Sequence, residues 1–184
     1  MPVWLIVVLV IVVLIVLWGI ATYNKLVGLR NKVKDQWAQI DTVLKRRFDL
    51  IPNLVETVKG YAKHEKETLE EVIAARNAYT AASVPEDQLK ADGELTKAIS
   101  KIFALSEAYP DLKANENFNS LQKELTETED KIQYARQFYN DTVLTYNNAC
   151  QVFPAVIVAN IFGFKPTNFF EASEEERKNV EVKF

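Results

Sequence analysis

The stretch Met1–Ala21, MPVWLIVVLVIVVLIVLWGIA, decides how the rest of the chain is organised, because none of its side chains carries a charge. A helix of this length rises roughly 30 Å, about the thickness of the hydrocarbon core of a bilayer. A single apolar segment is stable there only as a helix, which satisfies its own backbone groups. Trp4 and Trp18 lie near its two ends, where indole rings favour the membrane interface. We therefore predict a transmembrane anchor over residues 1–21.

The main alternative to a retained anchor is a cleaved signal peptide. Gly19 and Ala21 are small residues at a separation that suits a cleavage site. However, no Lys or Arg precedes the apolar run, and the run is longer than the roughly 7 to 15 residues of a usual signal-peptide core. These two features favour an anchor that is kept.

Basic residues directly after the anchor predict its orientation. Lys25, Arg30, Lys32 and Lys34 follow the apolar run, whereas only the terminal amine precedes it. Positively charged flanks stay on the cytoplasmic side, so we expect a single-pass protein with its N-terminus outside and its body in the cytoplasm. The same four side chains are candidate contacts to anionic lipid, each worth about 1 kcal/mol near the surface; the alternative is that they act only as a topology signal.

The composition after the anchor favours one helical domain and excludes some classes of function. Roughly 163 residues remain, enough for a single domain with its own core. The chain has 5 Gly and 6 Pro, few for its length, which favours helices. A net charge of −3 without a basic binding motif argues against a nucleic-acid partner. Cys150 is the only cysteine, so an intramolecular disulfide is excluded.

An apolar stripe with helical spacing begins after the anchor and raises one question, at Pro52. Proline removes a backbone donor and disfavours helical angles in the residue before it. We favour a chain reversal near Asp49–Asn53, with one helix over about residues 3–48 and a second over 52–81. A kinked continuous helix is the alternative, because the stripe keeps its register across Pro52. The stripe comprises Val33, Trp37, Ile40, Leu44, Phe48, Ile51, Leu54, Val58 and Ala62.

Two further helices are predicted beyond residue 81. Ser83-Val84-Pro85-Glu86 has the pattern of a capping box with Ser83 as the N-cap residue. Tyr109-Pro110-Asp111 interrupts the helix that follows, and Asn115 is the predicted N-cap of a last long helix. Four antiparallel helices with short connections make an all-α, up-and-down four-helix bundle. The predicted inward positions of the last helix are Phe118, Leu121, Leu125, Thr128, Ile132, Ala135, Tyr139, Val143, Tyr146 and Cys150.

The apolar run Phe153–Phe164 is too short to span a bilayer and too apolar for an ordinary loop. A short helix that caps the open end of the bundle is one interpretation, and a membrane-dipping segment or a partner-binding groove is the other. We expect the run to lie near the bilayer if the chain reverses at Pro52, and far from it if the first helix is continuous.

Residue patterns for catalysis are absent from the sequence. A di-metal carboxylate bundle needs two Glu-x-x-His pairs, whereas His64 is the only histidine and Tyr61 lies three positions before it. We interpret His64 as a solvated residue near the middle of a helix. The acidic cluster Glu127, Glu129 and Asp130 is typical of an exposed helix face. We therefore predict no enzymatic activity, no metal site and no cofactor.

Three groups of polar residues are candidates for structural or interaction roles. Arg46, Arg47 and Asp49 lie just before Pro52-Asn53, where they could fix the predicted reversal. Glu129 and Arg136 share a helix face, which allows a pair across helices that fixes register. The Tyr-Asn step repeats one heptad apart, so the amides are possible partners for the tyrosine hydroxyls. The candidates in this last group are Tyr139, Asn140, Tyr146 and Asn147.

The sequence contains a set of residues and short motifs in a specific order: Tyr23-Asn24, Trp37, Lys45-Arg46-Arg47-Phe48-Asp49-Leu50-Ile51-Pro52-Asn53-Leu54-Val55, Ala75-Arg76, Tyr109-Pro110-Asp111-Leu112, Glu129, Arg136, Tyr139-Asn140, Tyr146-Asn147 and Phe162-Gly163-Phe164. Taken together, they resemble the bacterial LemA family over essentially the whole chain. The resemblance implies a single-pass membrane protein with a cytoplasmic four-helix bundle of the left-handed, bromodomain-like type, and it implies no settled reaction. Members are often encoded beside a membrane zinc metallopeptidase, and a relative takes part in forming magnetosome membranes.

The sequence thus predicts an anchor over residues 1–21, a helical bundle over 22–164 and a tail over 165–184. We expect a scaffold of the bacterial inner membrane that acts through the bundle surface and the apolar run Phe153–Phe164, in which Phe162 and Phe164 are the candidate contact residues. Its expected partners are the lipid bilayer and other proteins, including further copies of itself as a homo-oligomer. The alternative is an adaptor or regulator of a membrane metallopeptidase.

Overall fold

A computed structural model describes residues 2–82 and 85–170 of the chain, and these form helices joined by short connections. The protein is all-α over this range, as predicted. The helices are α1 (Val3–Tyr61), α2 (Lys66–Ala81), α3 (Pro85–Ser106), α4 (Pro110–Lys113), α5 (Glu116–Gln151) and α6 (Ala155–Ile161).

Helix α1 continues without a break through Pro52 for 59 residues. The expected reversal near Asp49–Asn53 is therefore wrong, and the continuous alternative is correct. The register of the stripe was the better signal: Phe48, Ile51 and Leu54 are all buried on either side of the proline. A buried stripe that keeps helical spacing across a proline outweighs the local cost of that proline.

The carbonyl group that Pro52 leaves without its usual partner is bonded by a side chain of α2. In a continuous helix, the Phe48 carbonyl would accept the N–H of residue 52, which proline lacks. Arg76 Nε donates to this oxygen over 3.4 Å instead. The Phe48 ring also stacks on Tyr79 of α2, with centroids 3.7 Å apart. Packing of α2 against α1 thus offsets part of the cost of a proline inside a helix.

The chain reverses at residues 62–65, between α1 and α2. Ala62 is fully buried there, and Tyr109 Oη donates to Glu65 Oε1 over 3.1 Å. His64 is exposed and belongs to this connection rather than to the middle of a helix, which corrects its predicted position. Gly60, one residue before the end of α1, was the nearest sequence signal for this boundary.

The second half of the chain follows the predicted helix boundaries more closely. Tyr109-Pro110-Asp111 separates α3 from α4, and the Phe118 N–H donates to Asn115 Oδ1 over 2.9 Å, so Asn115 caps α5 as expected. The predicted capping residue Ser83 lies outside the described residues. Most predicted inward positions of α5 are buried, and Leu121 and Ala135 are half-buried.

The described chain divides into two compact units. One consists of residues up to Gln39 together with those from Ala135 onward, and the other consists of Ile40–Tyr134. In the second unit, α1 contacts α5 through Arg47 and Glu129, and it contacts the residue that caps α5 through Tyr61 and Asn115. Tyr61 lies fourteen positions after Arg47 in the chain, and Asn115 lies fourteen positions before Glu129. The two contacts therefore run in opposite directions along the two helices, as antiparallel packing requires. The left-handed bundle type and the domain bounds 1–21, 22–164 and 165–184 stay predictions.

The N-terminal part of α1 is long and apolar enough to cross a membrane, and this apolar stretch is not buried inside the protein. Its aliphatic side chains are about half exposed or more, as for Leu9 at 65 % and Leu14 at 60 %. Buried residues begin at Leu26, just after the predicted end of the anchor.

Candidate functional site

The C-terminal end of the first unit holds a segment that is not helical, and two asparagines of α5 bind it. Asn147 donates from Nδ2 to the Thr167 carbonyl and accepts the Thr167 N–H, both over 2.8 Å. Asn140 makes the same pair of bonds with Phe170, over 2.9 and 2.7 Å. Each amide therefore binds one backbone unit as a neighbouring strand would. We call residues 165–170 the strap.

The spacing of these bonds follows from simple geometry. Asn140 and Asn147 are one heptad apart, which corresponds to a rise of about 10.5 Å along a helix. Thr167 and Phe170 are three residues apart, which is about 10 Å in extended chain. The two distances match, so both amides can bind the strap at once and fix its register.

The repeated Tyr-Asn step predicted hydrogen bonds between the tyrosine hydroxyls and the asparagine amides. The two amides instead bond the backbone of the strap, and the two tyrosines pack into the core. Tyr139 Oη donates to the Asn168 carbonyl over 3.4 Å, and its ring meets the edge of Trp37 with centroids 5.7 Å apart. Burial raises the pKa of the Tyr139 hydroxyl. Burial and a hydrogen bond with Cys150 raise the pKa of Tyr146 to about 12. Both hydroxyls are therefore neutral structural groups at physiological pH.

Helix α6 ends in a turn that sends two phenylalanines to different environments. The Phe164 N–H donates to the Ala159 carbonyl over 2.9 Å, and the Gly163 N–H donates to the Asn160 carbonyl over 3.4 Å. This Schellman pattern needs a left-handed residue, and Gly163 has φ +71°. As a result Phe164 is buried, whereas Phe162 is 59 % exposed.

Both phenylalanines contact α1 directly after the predicted anchor. The Tyr23 ring lies 4.7 Å from Phe162 and 5.6 Å from Phe164, measured between centroids. The Arg30 guanidinium lies 5.0 Å above the Phe164 ring, a cation–π arrangement. Our expectation that a continuous first helix would keep the run Phe153–Phe164 far from the anchor is therefore wrong, because α5 returns to the anchor end of α1.

The other candidate residues of this unit are placed as follows. Lys25, Arg30, Lys32 and Lys34 are all exposed, as a lipid contact or a topology signal requires. The Arg136 guanidinium lies 4.4 Å above the Phe170 ring of the strap.

The second unit has a buried ionic cluster around Arg47. Nη1 lies 2.9 Å from Asp92 Oδ1 and 3.0 Å from Glu129 Oε2, and Nη2 donates to Thr96 Oγ1 over 3.0 Å. The side chains of Arg47 and Asp92 are 4 % and 0 % exposed. One guanidinium thus joins α1, α3 and α5, and Glu129 takes part in a pair across helices of the kind predicted for its helix face, with Arg47 of α1 as its partner.

The remaining candidates near Pro52 lie on the surface. Arg46, Asp49 and Pro52 are exposed, and so is Asn53, whose carbonyl accepts the Thr57 hydroxyl over 2.8 Å. Their predicted role in a reversal is therefore wrong, because α1 is helical there.

Two residues with structural roles, Asp92 and Arg76, were not among the candidates predicted from the sequence. A charged residue at one position of an amphipathic helix normally indicates solvent, so Asp92 gave no signal of its own. Arg76 could have been found by asking which donor binds the carbonyl that Pro52 exposes. Elsewhere in the second unit, Tyr79 donates to Asp41 Oδ1 over 3.1 Å, and burial and this bond raise the Tyr79 pKa well above its usual range.

The geometry of the described residues offers little for small-molecule chemistry. A wide, open pocket of about 580 Å³ is lined by polar residues around Tyr61 and Asn115. Within residues 2–82 and 85–170, no three His, Cys, Asp or Glu side chains are grouped as a metal site requires. Two other features stand out. One is the contact of Phe162 and Phe164 with α1 in the first unit, and the other is the buried ionic cluster around Arg47 in the second unit.

Fold and site together define an all-α protein with an N-terminal helix able to span a bilayer. The sequence profile of the LemA family matches residues 36–184, and the chain belongs to that family. The resemblance seen in the sequence is thereby confirmed, although the matched range begins after the anchor. Family and apolar helix together indicate a membrane-associated protein.

Curated relatives carry two kinds of name. Magnetosome protein MamQ of Magnetospirillum gryphiswaldense is 24 % identical, over 80 % of this chain and 64 % of its own length. Magnetosome protein MamQ 2 of Paramagnetospirillum magneticum is 26 % identical, over 81 % and 64 %. Protein LemA of Metamycoplasma hominis is 24 % identical, over 86 % and 73 %. The chain thus spans less than two thirds of the length of these magnetosome proteins.

Proposed function

We propose that this protein is a non-enzymatic, membrane-anchored helical scaffold of the bacterial inner membrane that organises or remodels the bilayer. The observation that carries the proposal is the continuity of α1, which is both the apolar span and the first helix of the folded body. No flexible linker separates the apolar span from the folded part of this helix. A protein built in this way holds its first unit close to the lipid surface.

The orientation in this proposal is N-terminus outside and body in the cytoplasm. Lys25, Arg30, Lys32 and Lys34 support it, since all four are exposed just after the span and cytoplasmic flanks carry the excess of Lys and Arg. Membrane organisation is supported by the relatives named as magnetosome proteins. The buried charges support a structural body, because Arg47, Asp92 and Thr96 bond to one another.

Reconstitution tests this function directly. The full chain is incorporated at increasing density into vesicles, and vesicle diameter and shape are measured by cryo-electron microscopy. A scaffold that remodels lipid changes the size distribution as density rises, and in-membrane cross-linking then yields oligomers of the chain. Vesicles that keep their shape, with only monomers captured by cross-linking, contradict the proposal.

A second candidate function is an adaptor or regulator of a membrane metallopeptidase. The exposed aromatic ring of Phe138 on α5, 61 % accessible, favours it because a large apolar side chain on a helix surface is a common protein contact. Deletion of the gene followed by measurement of membrane-protein turnover separates the two functions. A changed turnover with unchanged membrane shape favours the regulator.

A further inference from the structure

We infer that the turn from α5 into α6 is a second membrane contact, which inserts apolar side chains into the lipid interface beside the anchor. The inference deepens the proposed scaffold function and rests on its anchor. The contact surface, which we call the apolar tip, comprises Phe153, Ile157, Ile161 and Phe162.

The exposure of these side chains is the first argument. Phe153 is 77 % exposed, Ile157 49 %, Ile161 71 % and Phe162 59 %. Ile157 and Ile161 are one turn apart on the same face of α6, and the next two residues after Ile157, Val158 and Ala159, are buried. Clustered exposed apolar side chains mark a surface that another apolar phase covers.

Position is the second argument, and it favours lipid as that phase. Tyr23, whose ring lies 4.7 Å from Phe162, comes two residues after the predicted end of the anchor. Two residues correspond to a rise of about 3 Å, whereas the interfacial region of a bilayer is several ångströms deep on each side. Phe162 therefore lies at the depth where amphipathic helices bury their apolar faces.

Charge is the third argument. The chain has no Asp or Glu from Met1 to Lys34, and none from Thr142 to Phe170. The charged side chains of these segments are all basic, and Lys25, Arg30 and Lys165 are exposed. An apolar surface with an exclusively basic surround is complementary to anionic lipid headgroups, and basic residues are attracted to such a surface. A contact with another protein would not require acidic residues to be absent from both segments.

Depth-dependent fluorescence quenching tests the inference on the full chain. In a Cys150→Ala background, a dye is attached at one of three exposed positions through Leu14→Cys in the anchor, Ile161→Cys in the apolar tip or Phe138→Cys on α5. Phe138 lies roughly 20 Å before the end of α5 along the helix. The protein is reconstituted into phosphatidylcholine–phosphatidylglycerol vesicles that contain nitroxide-labelled lipid.

We expect lipid nitroxides to quench the Leu14 and Ile161 dyes, and the Ile161 dye roughly threefold more than the Phe138 dye. Quenching at Leu14 without quenching at Ile161 overturns the inference and leaves the anchor of the proposed function intact. Protection of the Ile161 dye from both lipid nitroxide and aqueous iodide would then identify a second copy as the cover of the apolar tip. Absence of quenching at Leu14 as well would remove the anchor, and with it the proposed function.

A matched pair of substitutions keeps the test specific. Ile157→Gln is expected to reduce quenching of the Ile161 dye, because it removes part of the inserted surface. Leu144→Gln on α5 is the control, since Leu144 is 49 % exposed, the same fraction as Ile157. Equal effects of the two substitutions would contradict insertion through α6. Circular dichroism confirms that both variants are folded.

Discussion

The buried pair of Arg47 and Asp92 makes a strong prediction about stability. Their side chains are 4 % and 0 % exposed, and their charged atoms are 2.9 Å apart. Removing one partner of such a pair leaves the other charge in a low-dielectric interior, which costs about 3–5 kcal/mol. We therefore expect Arg47→Met to lower the free energy of unfolding by about this amount. Loss of the contacts to Thr96 and Glu129 adds to the effect.

The matched control is the pair of Lys101 and Glu71, which joins α3 to α2 over 2.6 Å. Its side chains are 57 % and 42 % exposed, so solvent screens the interaction. Lys101→Met should cost at most about 1 kcal/mol. Chemical denaturation of the micelle-bound full chain, followed by far-UV circular dichroism, measures both variants on the same protein.

A double variant sharpens the prediction. Replacing both charges in Arg47→Met/Asp92→Leu also removes the fully buried carboxylate and leaves only Glu129, whose side chain is 24 % exposed, so most of the lost stability should return. The reasoning is refuted if Arg47→Met costs no more than Lys101→Met, or if the double variant is less stable than Arg47→Met alone.

Three further predictions concern the other structural contacts. Pro52→Ala restores the backbone N–H that the Phe48 carbonyl would accept and should stabilise the protein by about 1–3 kcal/mol. Arg76→Met should then cost less than it does in the parent, and equal costs in a denaturation cycle would contradict the bond between Arg76 and the Phe48 carbonyl. Asn147→Ala should accelerate hydrogen exchange at the Thr167 amide more than at Phe170, as measured by NMR or mass spectrometry, and unchanged exchange at Thr167 would contradict the role of the amide. The pKa of Tyr146 is about 12 in the folded state against an ordinary 10.0, so the contribution of its neutral hydroxyl to stability is complete below pH 10 and is lost as the pH rises toward 12. Tyr146→Phe should therefore lose less stability than the parent over that range in alkaline denaturation. A parallel loss in both proteins would count against the raised pKa.

The helices that the sequence predicted well are those whose signals are local. Asn115 caps α5 through its own side chain, and the alternating steps from Phe118 to Cys150 need no information beyond a helical period. The apolar N-terminal part of α1 is likewise a property of one uninterrupted stretch. These elements could be predicted because a neighbouring part of the chain cannot easily overrule them.

The reversal at Pro52 was wrong because a local rule met a tertiary contact. Proline disfavours a helix interior in isolation, but Arg76, distant in sequence, bonds the carbonyl that the proline leaves exposed. The true connection at residues 62–65 carries no proline, and only Gly60 lies nearby. A boundary of this kind depends on where the packed partner helix ends, and a single sequence does not state that.

In the candidate sites, too, the sequence identified which residues are unusual but did not identify the groups that they bind. The repeated Tyr-Asn step was noticed, but its amides bind backbone of the strap, and sequence spacing carries no information on backbone acceptors. Arg47 was noticed as well, whereas its partner Asp92 was not, because a buried carboxylate on α3 looks like any surface acid. Patterns identify unusual residues more readily than they identify what those residues bind.

The match between α5 and the strap also has a consequence for how this segment can change in evolution. One residue inserted between Thr167 and Phe170 would lengthen the extended path by about 3.4 Å, and the two amides could no longer both reach a backbone unit. Replacement of the intervening side chains is a different matter, since Asn168 and Phe169 are both exposed. Insertions and deletions should therefore be rejected here while substitutions are accepted, so that related chains would preserve the count of residues more strictly than their identity.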